Sequence, residues 1–449
     1  MSSGVSVASP AKPPPSRIHR APSLGIAQAK AADRTGIRFF LNSAFPELSN
    51  DEYRVSWDDP FFEPVDRLLV KRGRQIVGHV HVMHRTMLAG QQETPVGCVR
   101  HLTVGEAHRG VGLGARLLRA AEAHMIRSGA LVGLIHSAVP HFFRRYGWAL
   151  YGQHCLSRAD TCRVLGSLLE HGLTRSHRRS PMHIRPMLCW ELAEVADVYR
   201  QSVAGMHGPF QRSEAYWRWL VQRHAYDHFH VALQGPSLAD IEDEHTRVVG
   251  YAITQAERLV ELRTLPGRSR TAAELLARAC GESIEANRHG IIYHGPPGDP
   301  LHDVIKNAGG RFVEHVADRG EVMMAKVLRP LALLRRQSGR LLARADAGQI
   351  VQPWRIDLLA DGRTYCLEAS DGQLRVRRGK PGPDVIEMNA ADFSRVLLGR
   401  LDWDRAFEDE RVFVSSKNAA YVARVLFPLF SVWRPPLDSL ERSSPEPLY

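Results

Sequence analysis

The chain has 449 residues, 44% of them hydrophobic and 24% charged, a composition ordinary for a globular protein and long enough for more than one domain. No apolar run reaches the length of a bilayer span, and the six cysteines (Cys98, Cys155, Cys162, Cys189, Cys280, Cys366) form no Cys-x-x-Cys pair, which argues against a membrane span, a zinc site and a disulfide framework. The 59 lysines and arginines against 48 acids leave a net charge of +11, but the densest clusters, 175–179 and 335–344, fall between expected domains, so nucleic acid is not the expected partner.

Residues 1–23, with Pro10, Pro13, Pro14, Pro15 and Pro22, lack the apolar core of a signal peptide and read as a disordered leader, with a cytoplasmic location as the default. A short strand is expected over 25–29 and an amphipathic helix over 31–41. An acidic, aromatic stretch, 51–63, leads to a hairpin of strands 67–71 and 76–83 joined at Arg72-Gly73.

Residues 99–115 then read as a β-branched strand, a polar turn and a glycine-rich helix start. Arg109, Gly112 and Gly114 place a cation and two residues without a Cβ where an anion could approach the first N–H groups of a helix. Leu113, Leu117, Ala121 and Met125 recur at four-residue steps along that helix and leave Arg116, Arg119 and Arg127 facing water. A P-loop would need Lys-Ser or Lys-Thr after the glycines, where Ala115-Arg116 stands, and a dinucleotide fingerprint would need a third glycine and a later acid. The continuous apolar strand 131–135 is expected to be buried on both faces.

The order Leu102-Thr103-Val104, Arg109-x-x-Gly112-x-Gly114, then Phe142-Phe143-Arg144-Arg145-Tyr146-Gly147-Trp148 resembles the GNAT superfamily of CoA-dependent N-acyltransferases. The resemblance implies a mixed, twisted sheet, splayed in the middle, with acetyl-CoA as co-substrate entering the splay. Leu102, Thr103 and Val104 would hold the pantetheine arm, and Arg109, Gly110, Val111, Gly112, Leu113, Gly114 and Ala115 the pyrophosphate.

The middle third repeats this order of elements: a strand at 183–186, a helix over 191–203, strands 229–233, 248–253 and 259–265, a helix over 271–287 and a strand at 290–294. Its turn reads Pro266-Gly-Arg-Ser-Arg-Thr271, with Thr271 and Ala272 where cradle glycines would fall, so no CoA is expected there. From Pro330 onward, strands 354–360, 364–368 and 373–377 are punctuated by Asp361-Gly362 and Asp371-Gly372, and helices follow over 390–398 and 417–426.

Two joined acyltransferase folds and a small last module resemble the enhanced intracellular survival (Eis) family. The expected class is therefore α+β: two tandem GNAT-type folds, each a mixed twisted sheet flanked by helices, followed by a small sterol-carrier-like α+β domain. The expected boundaries are 1–23 leader, 24–170 CoA-binding domain, 183–328 degenerate copy, 330–440 sterol-carrier-like domain and 441–449 tail. The resemblance also implies a homo-oligomer.

N-acyl transfer needs a held thioester, an unprotonated amine and a proton for the departing thiolate. The family's usual donor tyrosine falls at Phe143, which has no proton to give; Tyr146, adjacent to Gly147, is the substitute candidate. For the base, the Eis resemblance implies the C-terminal carboxylate, here Tyr449, and His101 on the cradle strand is the other candidate. Asp58, Asp59 and Glu63 would suit a cationic acceptor, either the primary amine of a small polycation or a lysine side chain, or would form a solvated connector. His79, His81 and His84 lie close together but lack an acidic or cysteine fourth ligand nearby, so no metal is expected. The competing class is a weakly active or inactive CoA-binding or small-molecule-binding protein, because of Phe143.

Overall fold

A computed structural model describes residues 24–46, 48–152, 154–174, 182–235, 246–315 and 322–439. The expected leader, the 175–179 arginine cluster and the tail with Tyr449 lie outside these residues. No helix among the described residues is long and apolar enough to cross a membrane.

The first part of the chain forms β1 (Ile26–Gln28), α1 (Arg34–Ala44), α2 (Asn50–Val55), β2 (Arg67–Arg72), β3 (Gln75–Ala89), β4 (Gln92–Val104), α3 (Leu113–Arg127), β5 (Val132–Ser137), α4 (Pro140–Arg144), β6 (Ala149–Leu150), β7 (His154–Asp160) and α5 (Thr161–Glu170). The second part forms β8 (Met182–Pro186), α6 (Leu192–Ser202), β9 (His207–Phe210), α7 (Glu214–Gln222), β10 (His228–Gln234), β11 (Arg247–Gln255), β12 (Arg258–Thr264), α8 (Ser269–Glu285), β13 (Gly290–Tyr293), α9 (Pro300–Asn307), β14 (Arg311–His315) and β15 (Val322–Val327). The third forms α10 (Pro330–Arg336), α11 (Ser338–Ala347), β16 (Trp354–Ala360), β17 (Arg363–Ser370), β18 (Gln373–Arg378), β19 (Val385–Met388), α12 (Ala390–Leu397), α13 (Trp403–Glu408), β20 (Val412–Val414) and α14 (Lys417–Leu426).

Three sheets result, in the orders β1-β2-β3-β4-β5-β15-β6 with β9 on β3, β14-β7-β13-β12-β11-β10-β8, and β18-β17-β16-β19-β20. The repeat expected from the sequence is visible in the pairings. In the first sheet β4 runs parallel to β5 from Val96↔Val132 to Val99↔Ile135, and in the second β12 runs parallel to β13 at Arg258↔Ile292 and Leu259↔Tyr293. Beyond Val99, β4 continues without β5 as its partner, which opens the expected splay.

The sheets do not follow the boundaries drawn from sequence. β15, from the second part, lies between β5 and β6 of the first sheet, while β7, from the first part, lies between β13 and β14 of the second. Each sheet is completed by a strand from the other, so cuts near 170 and 183 would separate strands from their partners. Side-chain alternation specifies which face of a strand is buried and is silent about which neighbour it pairs with.

The helix α3 packs as its spacing predicts: Leu113, Leu117, Ala121 and Met125 are buried, and Arg116, Arg119 and Arg127 are exposed. A Cβ at Gly97 on β4 would collide with the Met125 sulfur, so that glycine lets the helix lie close to the sheet. The strand β5 is buried on both faces as expected: Ile135 joins the core under α3, whereas Val132 and Leu134 join a core shared with the third part, including Ile356, Phe393 and Leu426. The last part thus packs directly on the back of the first sheet.

Candidate active site

The helix α3 starts without a side-chain cap and with no acid in its first turn. Its N-cap, Gly112, has φ +81°, as does Gly110, and a Cβ at either would meet nothing within 4 Å. Both glycines are thus required by backbone conformation, and the space beside them is open. The first-turn N–H groups have no preceding helical carbonyl to bind, so these donors face the open space beside the two glycines. Val111 is 70% exposed beside it. Arg109 is exposed, its Nε donating to Val104 O at 3.1 Å and its guanidinium 3.6 Å from Glu106; Arg116 donates to Leu24 O at 2.7 Å. In the second part the corresponding helix start differs, because Thr271 is buried and Arg268 donates to Gln234 at 2.6 Å.

Upstream, the strand carrying Leu102, Thr103 and Val104 is irregular. The β3–β4 pairing runs His79↔Thr103 and then His81↔Arg100, so β4 holds one extra residue and bulges there. His101 takes φ +49°, a left-handed conformation uncommon for a residue other than glycine. Behind the bulge, Arg67 Nη1 lies 3.3 Å from His79 Nε2, and His79 Nδ1 lies 3.0 Å from the His101 carbonyl. A guanidinium only donates, so Nε2 accepts and the Nδ1–H donates to His101 O. Burial and the neighbouring Arg67 push the His79 pKa down to about 3, which keeps this neutral tautomer at working pH. Arg67 is itself buried, donates to Ser56 Oγ at 2.9 Å and lies 5.2–5.5 Å from the ring centres of Tyr53, Trp57 and Phe62. His101 lies against Phe45 at 5.4 Å; burial and then Arg100 hold its pKa well below the usual histidine value, leaving it neutral.

A small cavity of about 10 Å³, room for about one water, adjoins the bulge and is lined by Glu52, Tyr53, His81, Arg100, His101 and Trp219 among others. Sequence reasoning missed Glu52. Ser49-x-x-Glu52 has capping-box spacing, and Ser49 Oγ does accept from Glu52 N at 3.0 Å, but the glutamate carboxylate turns inward. Its Oε1 pairs with Arg223 Nη2 at 2.6 Å, and its buried Oε2 has no hydrogen-bond partner among the described residues.

The three acids singled out in the sequence do not act as one group. Asp58 and Glu63 are exposed, whereas Asp59 is buried, ion-paired with Arg85 and accepting from Phe61 N at 3.1 Å. Arg85 in turn stacks over Tyr216 at 4.5 Å, which binds the pair into the packing of the first and second parts. Asp59 is therefore a structural ion-pair residue rather than part of an acidic surface. Asp59→Asn is expected to cost about 3–5 kcal/mol by leaving Arg85 buried and unpaired, measured by urea unfolding; equal unfolding midpoints for variant and parent would contradict the pairing.

The histidine group also divides. His79 and His81 are buried, and His84 turns to Asp66, which accepts from His84 Nε2 at 3.0 Å and His124 Nε2 at 2.8 Å. Burial acts to raise the Asp66 pKa, but these two hydrogen bonds, with one from Glu63 N and the His84 charge, bring the carboxyl down to about 2. Asp66, His84 and His124 could hold a metal ion by donor type and spacing, and as they stand they satisfy one another.

On α4 and beyond, Phe143 is 3% exposed and packs edge-on against Phe142 at 4.9 Å and Trp148 at 6.1 Å. It is a core residue here. Tyr146 is half-buried, 5.3 Å from Phe142 and with Arg119 of α3 5.6 Å from its ring centre. Phe142 also reaches the α3 start, 3.6 Å from where a Gly114 Cβ would lie.

Residues 26–151 match the acetyltransferase (GNAT) domain family. No curated protein matches the sequence. Among solved structures the chain is similar to a GCN5-related N-acetyltransferase from Anabaena variabilis (TM-score 0.70, 12% identity, covering 91% of this chain and 98% of that one). One from Kribbella flavida gives a TM-score of 0.68 at 14% identity over 91% and 97%, and Eis1 from Mycobacterium abscessus gives 0.64 at 15% over 92% and 99%. Residues 26–151, which carry the open helix start, the bulged strand and Tyr146, are therefore a GNAT acetyltransferase domain, in a chain that shares the fold of these N-acetyltransferases over most of its length.

Proposed function

We propose that this chain transfers the acetyl group of acetyl-CoA to a primary amine. The observation that carries the reading is the uncapped α3 start at Gly112 beside a strand that leaves its neighbour and bulges at His101. In this reading Arg109 to Ala115 bind the pyrophosphate, and Leu102 to Val104 the pantetheine arm. The neutral amine nitrogen attacks the thioester carbonyl and the C–S bond breaks; Tyr146 gives its proton to the departing thiolate, and the proton released from the nitrogen passes through water and restores the tyrosine hydroxyl. The Glu52 carboxylate, with one oxygen unpartnered among the described residues, faces the cavity from which the amine would approach. Exposed Asp58 and Glu63 favour a cationic acceptor, the amine of a small polycation or a lysine side chain.

A second reading, a CoA-binding protein with weak or no turnover, is favoured by Phe143, whose place in the core leaves the family's donor position without a hydroxyl. Thiol release from acetyl-CoA across a panel of polyamines, aminoglycosides and lysine peptides, run beside calorimetric titration of acetyl-CoA, separates the two. Turnover that falls about 10²-fold in Tyr146→Phe with unchanged CoA affinity supports transfer with Tyr146 as donor. Tight binding without thiol release on any amine supports the second reading.

A further inference from the structure

A second cavity, of about 30 Å³, lies where all three parts of the chain meet, far along β3 from the bulge at His101. Met87, Tyr151, Leu333 and Phe427 give it apolar walls, and Gln337, Arg340 and Arg344 line it from α11 and the residue before it. Arg340 and Arg344 are one helical turn apart on one face of α11. Each is half-buried and spends one nitrogen on a backbone carbonyl, Arg340 Nη1 to Ala89 O and Arg344 Nη1 to Leu426 O, both at 2.6 Å. Neither has a carboxylate partner among the described residues.

Two partly buried cations without an anion are costly, and the surroundings register it. Burial, then Arg340, brings the Arg344 pKa down to about 10. Burial, then Arg340 and Arg344, brings that of His207 down to about 4. His207 stacks on Phe430 at 4.2 Å, and the Arg344 guanidinium lies 4.9 Å from the same ring, so the site has a rigid aromatic wall beside its charges. The buried Arg212, by contrast, meets Glu261 and Asp438 directly.

We propose that this junction is a binding site for a small organic carboxylate: the carboxylate lies between Arg340 and Arg344 with Gln337, and a short apolar tail lies against Met87, Tyr151, Leu333 and Phe427. The cavity is too small for a long acyl chain, and its apolar walls make a purely inorganic anion the poorer fit. The site is separate from the proposed transfer site and does not depend on it.

Propionate is the probe, titrated into the full chain while the His207 imidazole is followed by NMR. One saturable site is expected, with a dissociation constant on the order of 1 mM, the range open to a five-atom ligand. Bound propionate should raise the His207 pKa, because it supplies the missing negative charge. Arg344→Gln and Arg340→Gln should each weaken binding at least about tenfold, and Arg344→Lys, which keeps the charge, should stay within a few-fold of the parent. Propionamide, equal in shape and uncharged, should not bind. The proposal is overturned by no saturation with propionate up to about 50 mM, by unchanged affinity in both glutamine variants with parent-like melting, or by phosphate binding as tightly as propionate.

Discussion

Gly112→Val is expected to abolish acetyl-CoA binding. Gly112 holds φ +81°, where a β-branched residue is strained, and the new side chain would project into the open space in front of the α3 N–H groups. Both effects act on the same few atoms. The strain costs about 1–2 kcal/mol locally, and the steric block removes the approach of the pyrophosphate. Calorimetry should find one acetyl-CoA per chain in the parent and none in the variant at ligand concentrations that saturate the parent. Thr271→Val, at the matching helix start of the second part, should leave the titration unchanged, because Thr271 is already buried and meets no ligand space. Two equivalent sites in the parent, or normal binding by Gly112→Val, would contradict this assignment of the cradle.

His79→Leu is expected to lower kcat by about 10²-fold, the size of effect that follows from a displacement of about 1 Å near reacting atoms. The leucine removes the Nδ1–H that holds the His101 carbonyl and leaves Arg67 Nη1 without its acceptor, so the bulge loses the support that keeps a positive-φ residue in place. His79 is a positioning residue in this account, and the kinetic pattern should reflect that: kcat falls more than KM for acetyl-CoA rises, since the helix start at Gly112 is untouched and only the strand proposed for the pantetheine arm shifts. His79→Gln, whose amide can still donate to the carbonyl and accept from Arg67, should recover much of the loss. With a His79 pKa near 3, the parent's rate should carry no inflection from this residue between pH 5 and 8. Equal kcat in the leucine variant and the parent would show that the bulge stands without it.

The parts of the molecule legible in its sequence are those specified by local chemistry. Glycine at a left-handed position, the four-residue apolar spacing of α3 and the Asp-Gly turns at 361–362 and 371–372, all at positive φ, are properties of a few consecutive residues. They specify the uncapped start of α3 and the hairpins of the last part without reference to any distant contact. Phe143 lies outside this class: it stands where the resemblance puts the family's donor tyrosine, and the short turn of α4 aims it at Trp148 and the core.

What the sequence could not supply depends on residues far apart in the chain. Asp59 reads as one of three surface acids until Arg85, 26 positions later, is folded against it. The Glu52 carboxylate is drawn inward by Arg223, 171 positions away. The exchange of β7 and β15 between the first two sheets and the hydrogen bond from His79 to a bulged carbonyl 22 residues on have the same origin. Burial of a charge or a strand edge is affordable only when a specific partner arrives, and periodicity records that a face must be covered while leaving the partner to the assembled fold.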